Sequence, residues 1–298
     1  SGNLAMKILI AGANGHLGRR FIERFGAEYD LTALVRSPAA AEVLFQLPCQ
    51  VAIVAYGDTQ QMSRLAEGAE ILINLTGIIK ATKSNPYQKA HEETAAALVA
   101  ACQRAGVPRI LTLGICGSDP SSKNACFTSR AKAESIQLEG VPGSTVLRVP
   151  MVLGEGDYAS GALRRRASGK NGFVFRGESL EQPIYAGDVV SAICAASTQQ
   201  LEGGYDLGGP ECLTRKQLYQ RGADLFANTP IFVSLPIGLG YLVAGALEQF
   251  LGNPPITTAM LGVLDHDDNI DPEPTMKLLG MDKLTSLDDM LKAVLVPH

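Results

Sequence analysis

Residues 6–18, MKILIAGANGHLG, run an apolar segment, Met6 to Ala11, straight into three glycines, Gly12, Gly15 and Gly18, at the mouth of a predicted helix. In such a turn Gly12 permits a tight exit from a strand, Gly15 lets the backbone approach a pyrophosphate, and Gly18 lets the helix pack close to a sheet. The N–H groups around Asn14, Gly15, His16 and Leu17 are then free to face phosphate oxygens. A glycine triplet carries little alone. Here the strand before it and the amphipathic helix after it (Leu17, Phe21, Ile22, Phe25) supply the context that a dinucleotide-binding turn requires.

Working outward, short β-branched runs alternate with helical stretches: KILIAG, LTALVR, QVAIVAYGD, EILINLTG, RILTLG and STVLRVP, with helices such as Asn85 to Ala105 between them. This alternation predicts an α/β fold, a Rossmann-type doubly wound parallel sheet covered on both faces, with ligand lying across the carboxyl ends of the strands. Residues 6–150 form the expected nucleotide-binding domain. Residues 151–298 are expected to form a smaller, interleaved C-terminal lobe, parts of 182–210 completing the sheet. In that lobe we read a glycine-rich irregular segment (Gly154 to Gly172), a strand (Gln182 to Tyr185), a helix (Asp188 to Ser197) and a strand (Gly204 to Leu207). Residues 1–5 read as an expression remnant.

The chain has 298 residues, 46% of them hydrophobic, and a formal charge of −4. That length and apolar content allow a large core, and the charge argues against nucleic acid as a partner. Arg164, Arg165, Arg166 and Lys170 form a local basic cluster, read as a solvated helix face with an anion site as the alternative. Six scattered cysteines without a Cys-x-x-Cys pair read as reduced thiols of a cytoplasmic protein. Pro230 to Leu247 is uncharged, yet Pro236, Gly238, Gly240 and Gly245 divide it into an extended segment, IFVSLP, and an interfacial or buried helix, GYLVAGALEQFL. No metal site is expected: the four histidines lie far apart, and Asp265-His266-Asp267-Asp268 lacks calcium-loop spacing and reads as a solvated turn.

After the second strand, where a carboxylate would bind a ribose 2′-hydroxyl, the chain has Val35-Arg36-Ser37. Arg36 favours a 2′-phosphate, hence NADP over NAD. After the third strand, Asp58 and the Thr59 N–H are candidates for the adenine, and Asp58 is also a good N-cap. Leu75, Thr76 and Gly77, after Asn74, are expected to wall the nicotinamide ribose.

These pieces, in this order, resemble the extended or atypical branch of the short-chain dehydrogenase/reductase superfamily. The resemblance runs through AGANGHLG, AYGD, LINLTG, VPRILTLGICGSD, SRAKAES, STVLRVPMVLGEGD, PIYAGDVVSAI and YDLGGPECLT. LINLTGII, PIYAGDVV, GGPECLT and LPIGLGYLVAGALEQFLGNPPIT followed by DHDDNI look most like the nucleotide-binding accessory subunit of respiratory complex I and its bacterial relatives. The resemblance implies a nicotinamide dinucleotide cofactor and adds Val149 and Pro150 to its binding set.

It also implies a tyrosine general acid/base, a lysine four residues later and a serine at the end of the fifth strand. Lys132 stands at the lysine position, but Thr128, with Phe127 beside it, stands at the tyrosine position, and Gly114 where the serine would be. Lys132 is the candidate catalytic residue and a candidate donor to the ribose hydroxyls. Tyr87, Tyr158, Tyr185 and His91 are alternative proton donors; Cys116 and Cys126 flank the same cleft as packing residues.

Four functions stay open on the sequence. The first is an NADP(H)-binding protein with specialised reductase chemistry or a cofactor-holding, redox-sensing role. The others are a Lys132-dependent reductase of a small molecule, an accessory or assembly protein docking to a membrane redox complex through Ile231 to Leu251, and a nucleotide-sugar epimerase or dehydratase using Arg164 to Arg166. The expected location is cytoplasmic, with peripheral membrane attachment under the third reading.

Overall fold

The computed structural model describes residues 5–296, so Ser1 to Leu4 of the expected remnant, and Pro297 and His298, lie outside the described residues. In chain order the first half runs β1 (Lys7–Ala11), α1 (His16–Phe25), β2 (Asp30–Val35), α2 (Pro38–Glu42), β3 (Gln50–Ile53), α3 (Thr59–Ala66) and β4 (Ile71–Asn74). A π-helical turn (Gln88–Glu93) leads into α4 (Thr94–Ala105), followed by β5 (Ile110–Ile115), α5 (Ala125–Gly140) and β6 (Thr145–Val149). The second half contains β7 (Val152–Leu153), α6 (Tyr158–Ser168), β8 (Gly172–Phe175), β9 (Leu180–Glu181), β10 (Ile184–Tyr185), α7 (Ala186–Thr198) and β11 (Gly203–Asp206). It closes with β12 (Leu213–Thr214), α8 (Arg215–Asp224), β13 (Phe232–Leu235), α9 (Ile237–Phe250), α10 (Thr258–Leu264), α11 (Glu273–Leu279) and α12 (Leu287–Leu295).

Seven strands form one sheet in the order β11-β6-β5-β4-β1-β2-β3, every pair parallel. The order reverses between β1 and β4, and this is where a doubly wound sheet opens a crevice at its carboxyl edge. Successive residues of β1 feed opposite layers. Ile8 and Ile10 pack with Phe21 and Ile22 of α1 and Val189 and Ile193 of α7, whereas Leu9 and Ala11 pack with Met62 of α3 and Leu98 and Cys102 of α4. Burial on both faces, worth roughly 1.5–3 kcal/mol for each large aliphatic side chain, explains why these strands read as continuous apolar runs rather than alternating ones.

Strand β11 adds to the sheet edge beside β6, with Tyr205 opposite Leu147. A second core, built from Leu163 of α6, Leu218 of α8 and Met290 and Leu291 of α12, holds the later helices together.

Three local expectations need correction. The glycine-rich stretch from Gly154 is largely helical: Asp157 accepts the Ser160 N–H at 2.7 Å as an N-cap, and α6 follows. The strand expected over Gln182 to Tyr185 is split into β9 and β10, with Gln182 and Pro183 between them. Pro183 has no N–H for a ladder, and the Gln182 amide instead donates to Gly209 and Ile270 carbonyls at 2.9 and 2.7 Å. The helix expected from Asn85 begins at Gln88 with the π-turn.

IFVSLP forms β13 and its flanks, and GYLVAGALEQFL lies mostly in α9. Among the described residues no helix is long and apolar enough to cross a membrane. All six cysteines are unpaired.

Candidate functional site

The phosphate turn between β1 and α1 is built on the division of labour among its glycines. Gly12 takes φ +74°, and a Cβ there would stand 3.0 Å from the Leu75 carbonyl carbon, so the residue meets two demands only glycine satisfies. A Cβ on Gly18 would overlap the Ala13 backbone, whereas one on Gly15 would meet only the Gly12 oxygen, at 3.5 Å. Gly15 is the N-cap of α1 with no side-chain cap and no acidic residue in the first turn, so the first amides of this ten-residue helix face outward as anion donors.

The turn is bolted to the sheet by a residue that the sequence reading quoted without assigning it a role. The Tyr56 hydroxyl accepts the Gly12 N–H at 3.0 Å and donates to the Leu34 carbonyl at 3.0 Å. Burial pushes this phenol's pKa up. Tyr56→Phe leaves two main-chain groups without their partner and should cost about 1–3 kcal/mol of folding free energy. The check is the urea midpoint; an unchanged midpoint would show that water satisfies both groups.

A cavity of about 380 Å³ opens at the switch point, lined by Gly12, Asn14, Gly15, Arg36, Ser37, Tyr56, Leu75, Thr76 and Gly77 among others. It thus brings together seven of the residues singled out from the sequence. The Arg36 guanidinium lies over the Tyr56 ring, 5.7 Å from its centroid. Asn74 fixes the β4 end by accepting the Thr76 N–H at 3.0 Å and the Thr76 hydroxyl at 2.6 Å.

The other candidates lie outside this lining. Asp58 caps α3, accepting from Gln61 N–H at 3.0 Å, and Thr59 is the first residue of that helix. His16 pairs with Arg19 at 3.3 Å on the exposed start of α1, Leu17 is half-buried beside it, and Gly18 is the packing contact described above. Val149 and Pro150 are buried at the end of β6, where the Val149 carbonyl accepts from Cys116.

Lys132 is not brought to the cleft. Its ammonium lies 4.0 Å from Glu92 on the π-turn, with the side chain 59% exposed. The cation turned towards the sheet is Arg130, packed against Gly77 and lining a small recess with Asn74, Thr76, His91, Thr112, Gly114 and Glu134. Its buried Nε has no hydrogen-bond partner. The reason is helical register: Arg130, Glu134 and Gln137 occupy the inward face of α5, and Ser129 and Lys132 the face towards Glu92.

Gly114 also has a structural account. A Cβ there would stand 2.9 Å from Glu134 Oε1 and 3.1 Å from Arg148 Cγ, so the absent serine makes room for the Glu134–Arg148 ion pair at 2.7 Å. Thr128 donates its hydroxyl to the Ser122 and Asn124 carbonyls.

None of the recruited donors reaches the cleft in a form suited to proton transfer. His91 is buried, its Nε2 3.1 Å from the Ile78 nitrogen and 3.0 Å from the Ile78 oxygen; burial and the nearby Arg130 push its pKa down to about 3, so it is neutral. Tyr87 donates to Ile79, and burial raises its pKa to about 12. Tyr185 is likewise raised to about 12, first by burial and then by its 2.5 Å bond to Glu155. Tyr158 is 78% exposed.

A second, larger cavity of about 610 Å³ lies beyond β5. It is lined by Gly117, Asp119, Lys123 and Asn124 from the segment leading into α5, by Phe127 in the first turn of α5, and by Tyr241, Thr258 and His266 from the C-terminal part of the chain. Sequence reasoning missed the C-terminal contributors, which come from about 120–150 residues further along the chain.

Residues 12–137 match the NAD(P)H-binding family. With the parallel sheet and the glycine turn, this match marks the N-terminal half as a nicotinamide-dinucleotide-binding unit of the Rossmann type, similar to that of the atypical short-chain dehydrogenases/reductases. Among its relatives is the mitochondrial NADH dehydrogenase [ubiquinone] 1 alpha subcomplex subunit 9 of Arabidopsis thaliana, 24% identical over 97% of this chain and 74% of that protein. Another is the ceramide reductase of Caulobacter vibrioides, 25% identical over 86% of this chain and 81% of that protein. Among solved structures, a nucleoside-diphosphate-sugar epimerase from Pseudomonas aeruginosa superposes with a TM-score of 0.75 at 19% identity, covering 97% of this chain and 96% of that one. At that identity the likeness is one of fold.

Proposed function

We propose that the protein is an NADPH-dependent reductase of a small carbonyl compound that works without the tyrosine and serine of the superfamily. The observation that carries this reading is the pair of cavities at the carboxyl edge of the sheet. The smaller lies at the glycine turn and is assigned to the nucleotide, and the larger, beyond β5, is assigned to the substrate. A protein that only held its cofactor would have no use for the second cavity.

In this reading the free amides at the start of α1, those of His16 and Leu17, hold the pyrophosphate across Gly15, and Arg36 with Ser37 receives the 2′-phosphate. Leu75, Thr76 and Gly77 wall the ribose. Reduced nicotinamide, when bound, supplies a hydride to an electrophilic carbon; orientation and proton supply fall to this chain. Relationship to a protein named ceramide reductase supports reductive chemistry. The exposed position of Lys132 argues against the lysine-dependent variant, and Arg164 and Arg165, turned to solvent on α6, give the epimerase reading no diphosphate site.

The test is loss of nicotinamide absorbance on mixing the protein and NADPH with a panel of ketones, aldehydes and quinones. Saturable turnover, faster with NADPH than with NADH, is the expected result. Tight NADPH binding without turnover of any member would replace this reading with the cofactor-holding one.

One observation favours a second reading. Helix α9 exposes Leu239, Leu242, Val243 and Phe250 and carries Glu248 as its single charged residue, and two relatives are named as subunits of mitochondrial NADH dehydrogenase. Docking to a membrane-bound redox complex through this face is compatible with nucleotide binding. Recovery of a redox complex with the native protein, lost on Leu242→Glu and Val243→Glu substitution, would establish it.

A further inference from the structure

The loop after α10, expected to be a solvated turn, is instead tied down on both sides. Arg176 pairs with Asp265 at 2.9 Å and with Asp267 at 2.7 Å. Asp267 also accepts from the Leu180 N–H at 2.9 Å and the Ser179 hydroxyl at 3.2 Å, and the Asp268 N–H donates to the Leu180 carbonyl at 3.1 Å. Arg176 itself sits at φ +43°, an uncommon conformation for a residue with a side chain, held there by these contacts.

What this anchoring presents is His266. Its ring reaches over Gly117, just beyond β5, where a Cβ would stand 2.8 Å from Nε2. The edge of Phe127, adjacent to the vacated tyrosine position, packs at 5.2 Å between ring centroids. The imidazole therefore lines the larger cavity from the C-terminal part of the chain, against Phe127, the sequence neighbour of the vacated tyrosine position. Behind it, Asp268 Oδ1 lies 3.9 Å from Nε2, buried and without a hydrogen-bond partner.

We propose that His266 is the proton-transferring residue of this cavity, that Asp268 is its positioning partner, and that the ligand is a carbonyl compound whose oxygen lies against the imidazole. The inference rests on the reductase reading and supplies its missing acid. As the carbonyl carbon is reduced by the nicotinamide, the carbonyl electron pair moves to oxygen. That oxygen forms an O–H bond with the proton released by the imidazolium, which is left neutral and is reprotonated from solvent. The Tyr241 hydroxyl at the cavity wall is a hydrogen-bonding group suited to orienting such a ligand, whereas Asn124 caps α5 and Thr258 donates to Glu248.

The electrostatics agree. Burial first, then the negative charges of Glu181 and Asp267, push the Asp268 carboxyl up to about 7. Glu181 is paired with Arg215 at 2.8 Å and Asp267 with Arg176. The thiols of Cys116 and Cys212 are raised by burial and by Asp268 among other carboxylates, and the Cys212 thiol donates to the Asp268 carbonyl at 3.2 Å. Asp268 thus exchanges its proton near neutrality, 3.9 Å from the imidazole.

The experiment begins with an NADPH fluorescence titration of the wild type, His266→Gln and Asp268→Asn; absence of binding in the wild type would sink the reductase reading itself, separately from this one. With binding intact, His266→Gln should lower kcat for 9,10-phenanthrenequinone about 100-fold without changing NADPH affinity. Independently of activity, imidazole nitrogen NMR of the NADP-loaded protein should show His266 signals that shift on adding the quinone. Asp268→Asn should lower kcat and alter its dependence on pH while leaving NADPH affinity unchanged, as expected of a group that acts through the imidazole. The proposal is overturned by full turnover in His266→Gln, by His266 signals indifferent to the quinone, or by a pH profile of kcat that Asp268→Asn leaves unchanged; wild-type protein that binds NADPH yet does not reduce the quinone overturns the reductase reading instead.

Discussion

Replacing Arg36 by alanine should weaken NADPH binding about 10- to 100-fold while leaving NADH binding almost unchanged. The size follows from one charge-assisted hydrogen bond to a 2′-phosphate, worth about 1.5–3 kcal/mol. The selectivity follows from position: Arg36 and Ser37 line the nucleotide cavity immediately after β2, and Asp30, which could have favoured a free ribose hydroxyl, lies at the opposite end of that strand. Competitive titration with the two nucleotides measures the ratio directly. An unchanged ratio in Arg36→Ala would mean that the guanidinium serves only as a lid on the Tyr56 ring.

Gly18→Ala should destabilise the nucleotide-binding half strongly for a single methyl group. The added Cβ would overlap the Ala13 carbonyl oxygen and Cα, which are main-chain atoms of the phosphate turn and have no rotamer by which to yield. Overpacking of this kind costs about 1–3 kcal/mol or more, and here relief requires α1 to move away from the turn whose amides it presents. We expect a lower melting temperature together with loss of the thermal shift that NADPH gives the wild type, since a ligand stabilises only the state that binds it. Gly15→Ala makes the informative comparison: its Cβ has room in the free protein, so stability should persist while nucleotide affinity falls.

The contrast between these glycines shows what the sequence made legible. Spacing within a dozen residues encodes a strand exit, a close approach and a helix contact, because each depends on neighbours only a few positions away. Arg36 was legible for the same reason, standing at a fixed offset from its strand. Lys132 was legible as a motif position but not as a direction. Which flank of α5 faces the sheet is set by Glu134 meeting Arg148 and Gln137 meeting Thr112, contacts between separate elements, and these turn Arg130 inward and Lys132 outward.

The π-turn at Gln88–Glu93 was illegible in the same sense. The sequence there reads as ordinary helix, and the position of His91 against Ile78 belongs to packing rather than to propensity. His266 was the most hidden of all. Flanked by three aspartates, it resembles a polar surface turn until Arg176, Ser179 and Leu180, nearly 90 residues earlier, are seen to take up Asp265 and Asp267. Tyr56 lay in plain view in AYGD, but its function needed Leu34 and Gly12 to be brought beside it.

The account as a whole depends on the N-terminal glycine turn being a working nucleotide site. Titration of the purified, nucleotide-free protein with NADPH, followed by nicotinamide fluorescence, tests this most directly. Saturable binding, tighter than for NADH and weakened by Gly15→Ala, is the predicted result; a linear response with no saturation for either nucleotide would contradict it.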